Sequence, residues 1–149
     1  AAISIGDILI GLLSQYLRSR KKALFVFYGI TILFMIAFFT LLWDGTATRL
    51  YWVCAGLGFG TGFWAIFVTM GAEQFGTNLR ATAATTIPNM VRGMLAIFIL
   101  PLFKWFEKQP TIGTIDAGIY TGIIIMVITL IAAALTRETF HKDLDYLEE

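Results

Sequence analysis

Residues 23–43, "ALFVFYGITILFMIAFFTLLW", run for 21 positions without one charged side chain. Two more such runs follow, 23 residues over 50–72 and 19 over 117–135. A helix rises 1.5 Å per residue, so about 20 apolar residues match the hydrocarbon thickness of a bilayer. A backbone crossing lipid must satisfy its own hydrogen bonds, which leaves helices or closed barrels. No stretch alternates with the two-residue period of a strand, so helices are expected. Residues 81–103 form a further candidate span, interrupted by Arg92 and expected to bend or break at Pro88 and Pro101. Residues 1–17 read as the tail of another helix. They do not resemble a signal peptide, because no basic region precedes the apolar stretch and Asp7 interrupts it. The expected fold class is all-α: a polytopic membrane helical bundle over 1–136, followed by a cytoplasmic tail over 137–149.

Charge supports this. Only 14% of residues are charged, against about 25% in soluble domains, too few to cover a water-facing surface. The single cysteine, Cys54, lies inside an apolar run and is expected to serve packing; no disulfide framework is possible. Loops alternate between the two sides of the bilayer. One side holds Arg18, Arg20, Lys21, Lys22, Arg80, Arg137 and Lys142, and the other holds Arg49, Lys104 and Lys108. Seven cations against three place residues 18–22, 73–80 and the C-terminus in the cytoplasm. Trp43, Tyr51, Trp52, Trp105 and Phe106 then form an aromatic belt at the opposite interface. The outer loops carry no glycosylation sequon, which fits a bacterial inner membrane.

Two features stand out within the spans. Gly56, Gly58, Gly60 and Gly62 fall at every second position and contain two small-xxx-small pairs, a pattern that lets helices approach closely. Arg92 sits mid-span, where exposure to lipid would cost at least ~2.5–3.5 kcal/mol. It should therefore face a polar interior, with Asn89 one turn earlier on the same face and Trp64 and Phe67 as candidate cavity linings. Arg92, Asn89 and Trp64 are the candidate solute contacts; a structural salt bridge to another helix is the alternative for Arg92. Asp7 is a weak candidate for proton coupling, since no span has an acidic residue near its centre.

Three cytoplasmic segments resemble signatures of the major facilitator superfamily. "GLLSQYLRSRKKAL" (11–24) is similar to the G-x-L-a-D-R-x-G-R-[RK] loop if one residue is inserted, although Gln15 and Tyr16 replace its Asp and Arg. "AEQFGTNLRATA" (72–83) resembles the acidic-to-basic junction after the tenth helix in the sugar and organic-acid branches, with Glu73 and Arg80 in the charged positions. "TRETFHKDLDYLEE" (136–149) is similar to the P-E-T-[KG] ending, with Glu138 and Thr139 in register and Arg137 in place of proline. The resemblance implies the C-terminal part of a carrier, from the end of helix eight through helix twelve, with its N-terminal half missing. It also implies a cytoplasmic gate in which Arg20 and Lys21 approach Glu73 and Arg80 approaches Glu138. A partly buried pair of this kind would bias two conformations by ~1–2 kcal/mol, about tenfold.

The implied function is secondary active transport of a small polar solute, a sugar or organic acid, by alternating access. The competing expectation is a non-transporting membrane scaffold or subunit, in which oligomerisation satisfies Arg92. Catalysis is not expected: no nucleophile triad, paired catalytic carboxylates or metal set lies at membrane depth. His141, Asp143 and Asp145 belong to a solvated tail rather than a metal site. No cofactor motif is present, and the short basic run at 18–22 is explained by topology rather than by nucleic acid. The expected partners are the lipid bilayer, the solute and the missing half.

Overall fold

The computed structural model describes residues 1–41 and 46–140, and these contain helices and no strand. The helices are α1 (Ala2–Tyr16), α2 (Arg20–Leu41), α3 (Ala47–Gly60), α4 (Trp64–Glu73), α5 (Thr77–Glu107) and α6 (Thr114–Leu135). A 3-10 turn, Thr61–Phe63, joins α3 to α4. With α3 and α4 taken as one path, four segments are long and apolar enough to cross a membrane, and α1 is shorter. Trp43 and the tail residues His141, Lys142, Asp143 and Asp145 lie outside the described residues.

The hydrophobic core joins Ile10 of α1, Leu24, Phe27 and Tyr28 of α2, Ile66 and Met70 of α4, and Ala133 of α6. All of these lie toward the end of the bundle where α1 and α4 finish and α2 and α5 begin. Among the described helices, α5 packs on α4 and α6 alone. Met90, Met94, Ile97 and Phe98 on it are exposed. In water such a surface would aggregate, whereas in lipid it is the expected exterior.

The glycine series divides between two neighbours. A methyl group at Gly60 would lie 2.7 Å from the Thr31 hydroxyl of α2, and one at Gly56 would overlap the Phe34 ring of the same helix. At Gly62 it would lie 2.5 Å from the carbonyl carbon of Gly6 in α1, and at Gly58 it would meet only Ala2 and Ile3 of α1 at ordinary contact. One i,i+4 pair therefore receives α2 and the other receives α1. Four glycines in seven residues also weaken the local helix, which tightens into the 3-10 turn there.

Several boundaries differ from expectation. Helix α5 runs through Pro88 and Pro101 without ending and is longer than the expected 81–103 span. Arg20, Lys21 and Lys22 belong to the first turn of α2 rather than to a loop. Cys54 is exposed on the outside of α3 and is not part of the packing.

The turn from α1 to α2 is unusual in its residue. Arg18 has φ 47°, in the left-handed region. Its N–H donates to the Gln15 carbonyl and the Ser19 N–H to the Ser14 carbonyl, each at 3.2 Å. These are the two bonds of a Schellman ending, which ordinarily uses glycine at the left-handed position. A side chain there costs roughly 1–2 kcal/mol. Arg18→Gly should therefore raise thermal stability by about 1 kcal/mol, measured by unfolding in detergent; a loss of stability would mean the Arg18 side chain has an anchoring role.

Candidate functional site

The segments 18–22, 73–80 and 136–140 meet at one end of the bundle in a clasp built on two helix termini. Three cations in the first turn of α2 sit at the wrong end of that helix for its dipole. Two side chains compensate. The Ser19 hydroxyl accepts from the Lys22 N–H at 3.1 Å, the usual N-cap bond. Glu138, arriving from beyond α6, accepts from the N–H groups of Arg20 at 3.0 Å and Lys21 at 3.2 Å. It also accepts from the Ser19 hydroxyl. A carboxylate thus occupies the positive end of α2, where it takes donors that the helix itself leaves unpaired.

Lys21 performs the reciprocal task. Its Nζ donates to the Ala134 carbonyl at 2.5 Å and the Thr136 carbonyl at 3.0 Å, at the C-terminal end of α6. Cations belong at that end of a helix. The start of α2 and the end of α6 therefore hold each other by exchanged charges.

Glu73 is the last residue of α4 and is 5% exposed. A carboxylate at a helix C-terminus meets a negative dipole, so its burial requires a strong partner. Arg20 Nη2 donates to Oε1 at 2.5 Å. The Thr139 hydroxyl, also buried, donates to Oε2 at 2.7 Å. The Arg20 guanidinium lies 5.9 Å from the Phe140 ring centroid as well. Helices α2 and α4 and the segment after α6 are therefore joined through a single carboxylate.

The expected pairing is corrected in two places. Lys21 does not bind Glu73, because its amine is committed to the α6 carbonyls. Glu138 does not bind Arg80, because its oxygens are taken by the start of α2 and by the N–H groups of Thr139 and Phe140. Arg80 reaches back to the Phe75 carbonyl at 3.4 Å. The Arg20–Glu73 pair is present as expected. Ser19 and Thr139 were not anticipated as participants. Ser19 was legible as a serine one position ahead of a helical run; Thr139 and Glu73 are 66 residues apart, and no local pattern joins them.

Burial pushes the Glu138 carboxyl up, but its bonds from Ser19 and from the N–H groups of Phe140, Lys21 and Arg20 outweigh that and hold it below the usual carboxylate range. A group lowered on folding contributes stability that is complete above its unfolded value and is lost as pH falls through its folded value. Protection of the Arg20 and Lys21 amides, read as exchange relative to an unstructured amide at the same pH, should therefore stay high at neutral pH and fall below the ordinary glutamate range. In Glu138→Gln that acid step should vanish; an unchanged step would assign it to another carboxylate.

The second cluster lies at membrane depth. Arg92 is the central residue of α5, 15 positions from either end. Its guanidinium carbon stands 4.9 Å from the Trp64 ring centroid, a cation–π contact. Trp64 opens α4 directly after the 3-10 turn and packs on Phe67 at 5.3 Å. Among the described residues Arg92 has no carboxylate partner. Arg92 and Asn89 are both exposed, one turn apart on α5. Asp7 stands apart from this pair. The Gly6–Gly62 contact brings α1 onto the 3-10 turn, and Asp7 Oδ1 accepts from the Ala65 N–H at 3.3 Å. It places a carboxylate at the start of α4, the positive end of that helix.

No protein-family model matches the chain, and no curated protein or solved structure matches it. Its class rests on composition and geometry: a helical membrane bundle with a charged clasp at one end and a mid-helix arginine on an uncovered face.

Proposed function

We propose that the chain is the C-terminal part of a secondary transporter of the major-facilitator type, carrying a small anionic solute such as an organic acid or sugar acid by alternating access. The observation that carries this reading is Arg92. A guanidinium at the centre of a 31-residue apolar helix, resting on an indole and with no carboxylate partner among the described residues, is positioned to receive an anion. An arginine fork pairs with a carboxylate through two parallel hydrogen bonds. Asn89 adds an amide for hydroxyl or carboxylate oxygens, and Trp64 provides an apolar wall. Intramembrane ionisable residues commonly mark solute pathways.

The clasp supplies the second element of such a cycle. Arg20, Glu73 and Thr139 hold α2, α4 and the post-α6 segment together, and α2 and α4 also share the hydrophobic core through Leu24, Phe27, Tyr28, Ile66 and Met70. Separation of these groups would open that end, and their return would close it. The excess of cations on the clasp side supports a cytoplasmic placement of the clasp, and the bacterial inner membrane is the setting that reading implies. Asp7, against the start of α4, is the group available for proton coupling.

The test uses the full gene product in membrane vesicles, with every tryptophan but Trp64 replaced by phenylalanine so that Trp64 is the reporter. Titration with a panel of organic and sugar acids should change Trp64 emission for at least one member. Arg92→Ala should weaken that binding about 10- to 100-fold, the effect of losing a hydrogen bond to a charged group, and abolish uptake while leaving membrane insertion intact. Uptake unchanged by Arg92→Ala would exclude the assignment. If no acid alters Trp64 and copies of the chain cross-link through α5, the scaffold reading would take its place.

A further inference from the structure

We propose that the groove at the end of the bundle away from the clasp is a binding site for an anionic phospholipid, with one acyl chain lying in the groove and the phosphate held by Arg49. The groove has a volume of about 410 Å³ and runs between α1, α2 and α3, lined by Ile5, Phe34, Trp52, Val53, Gly56 and Phe59 among others. These linings are all apolar. The Phe34 ring packs directly against Gly56, where a side chain would overlap it.

Apolar character alone would not select an occupant in a bilayer, since lipid tails are as apolar as the groove. The selection comes from its mouth. On α3, Arg49, Trp52, Gly56 and Phe59 succeed one another at intervals of three or four residues and share one face. Trp52 is 74% exposed, and tryptophan favours the headgroup depth of a membrane. Arg49 lies one turn nearer the end of the helix, is exposed, and has no carboxylate partner among the described residues. A guanidinium at phosphate depth, immediately above an apolar slot, matches the two ends of a phospholipid. A packed protein helix would satisfy the slot but would leave Arg49 unpaired.

The experiment measures fluorescence of Trp52 in bilayers of mixed composition. A variant with Trp43, Trp64 and Trp105 replaced by phenylalanine keeps Trp52 as the sole indole. Phosphatidylglycerol brominated on its acyl chains, in a phosphatidylcholine background, should quench Trp52 more strongly than brominated phosphatidylcholine at the same mole fraction. The relative affinity should be about fivefold, the preference of one cation near a bilayer surface for an anionic lipid. Arg49→Gln should reduce that ratio to one while leaving quenching itself intact. Equal quenching by the two lipids in the unmodified Arg49 protein would overturn the proposal, as would absence of quenching by either, which would mean that protein covers the groove. Should the triple tryptophan variant fail to fold, native mass spectrometry of the otherwise unmodified chain and of Arg49→Gln in the same mixtures decides the matter. Retained phosphatidylglycerol lost in Arg49→Gln would support the site, and identical retention would overturn it.

Discussion

Glu73→Ala is expected to lower stability by about 3 kcal/mol, near the lower end of the range for removing one partner of a buried ion pair. The Arg20 guanidinium would keep its place between α2 and α4 with no anion, and the buried Thr139 hydroxyl would lose its acceptor. The value is at the low end because the Arg20 side chain is 23% exposed and recovers some hydration. Arg20→Ala in the Glu73→Ala background should then cost little more, since the stranded charge is removed with it. A double-mutant cycle measured by thermal unfolding in detergent checks this directly. Additive losses would show that the two side chains act separately and that the clasp is not held by their contact.

Gly62→Leu is expected to have a comparable effect through sterics alone. The obstructing atoms are the Gly6 backbone at 2.5 and 2.6 Å and the Asp7 nitrogen at 2.7 Å, none of which can rotate away. Helix α1 would have to withdraw from the 3-10 turn, and the Asp7 bond to the Ala65 N–H would break with it. Overpacking of this kind costs about 1–3 kcal/mol, and more where backbone must move. Gly58→Ala is the internal control, because its methyl would meet Ala2 and Ile3 at 3.5 and 3.6 Å, ordinary contact distances. Unfolding midpoints should fall steeply for Gly62→Leu and hardly at all for Gly58→Ala. Similar midpoints for the two would mean that the contact between α1 and the 3-10 turn yields easily.

How much of this was legible in the sequence follows from the range of each signal. Span number and approximate position came from uncharged runs, a property of consecutive residues. The role of the glycines came from their spacing, although which helix each pair receives depends on the angle at which α1 and α2 cross α3. The two prolines do not break α5, because a helix in lipid can continue past a missing N–H. Within the clasp, opposite charges identified Glu73 and Arg20 as partners. Lys21 and Glu138 went astray because their partners are backbone groups at helix ends, and charge counting does not see those. The Arg92–Trp64 contact was foreshadowed only as membership of one candidate site.

The central claim is that Glu73 holds a two-state closure at the clasp end. It is tested most directly by a distance across that end. Spin labels at Lys22→Cys and Leu79→Cys, in a Cys54→Ser background, place one probe at the start of α2 and one in the first turn of α5. Double electron–electron resonance in lipid should show a dominant short distance and a minor longer one, and Glu73→Gln should raise the longer population about tenfold relative to the short, equivalent to ~1.4 kcal/mol. One narrow distance, identical with Glu73 and with Gln, would contradict it and leave the clasp as a fixed fastening between helices.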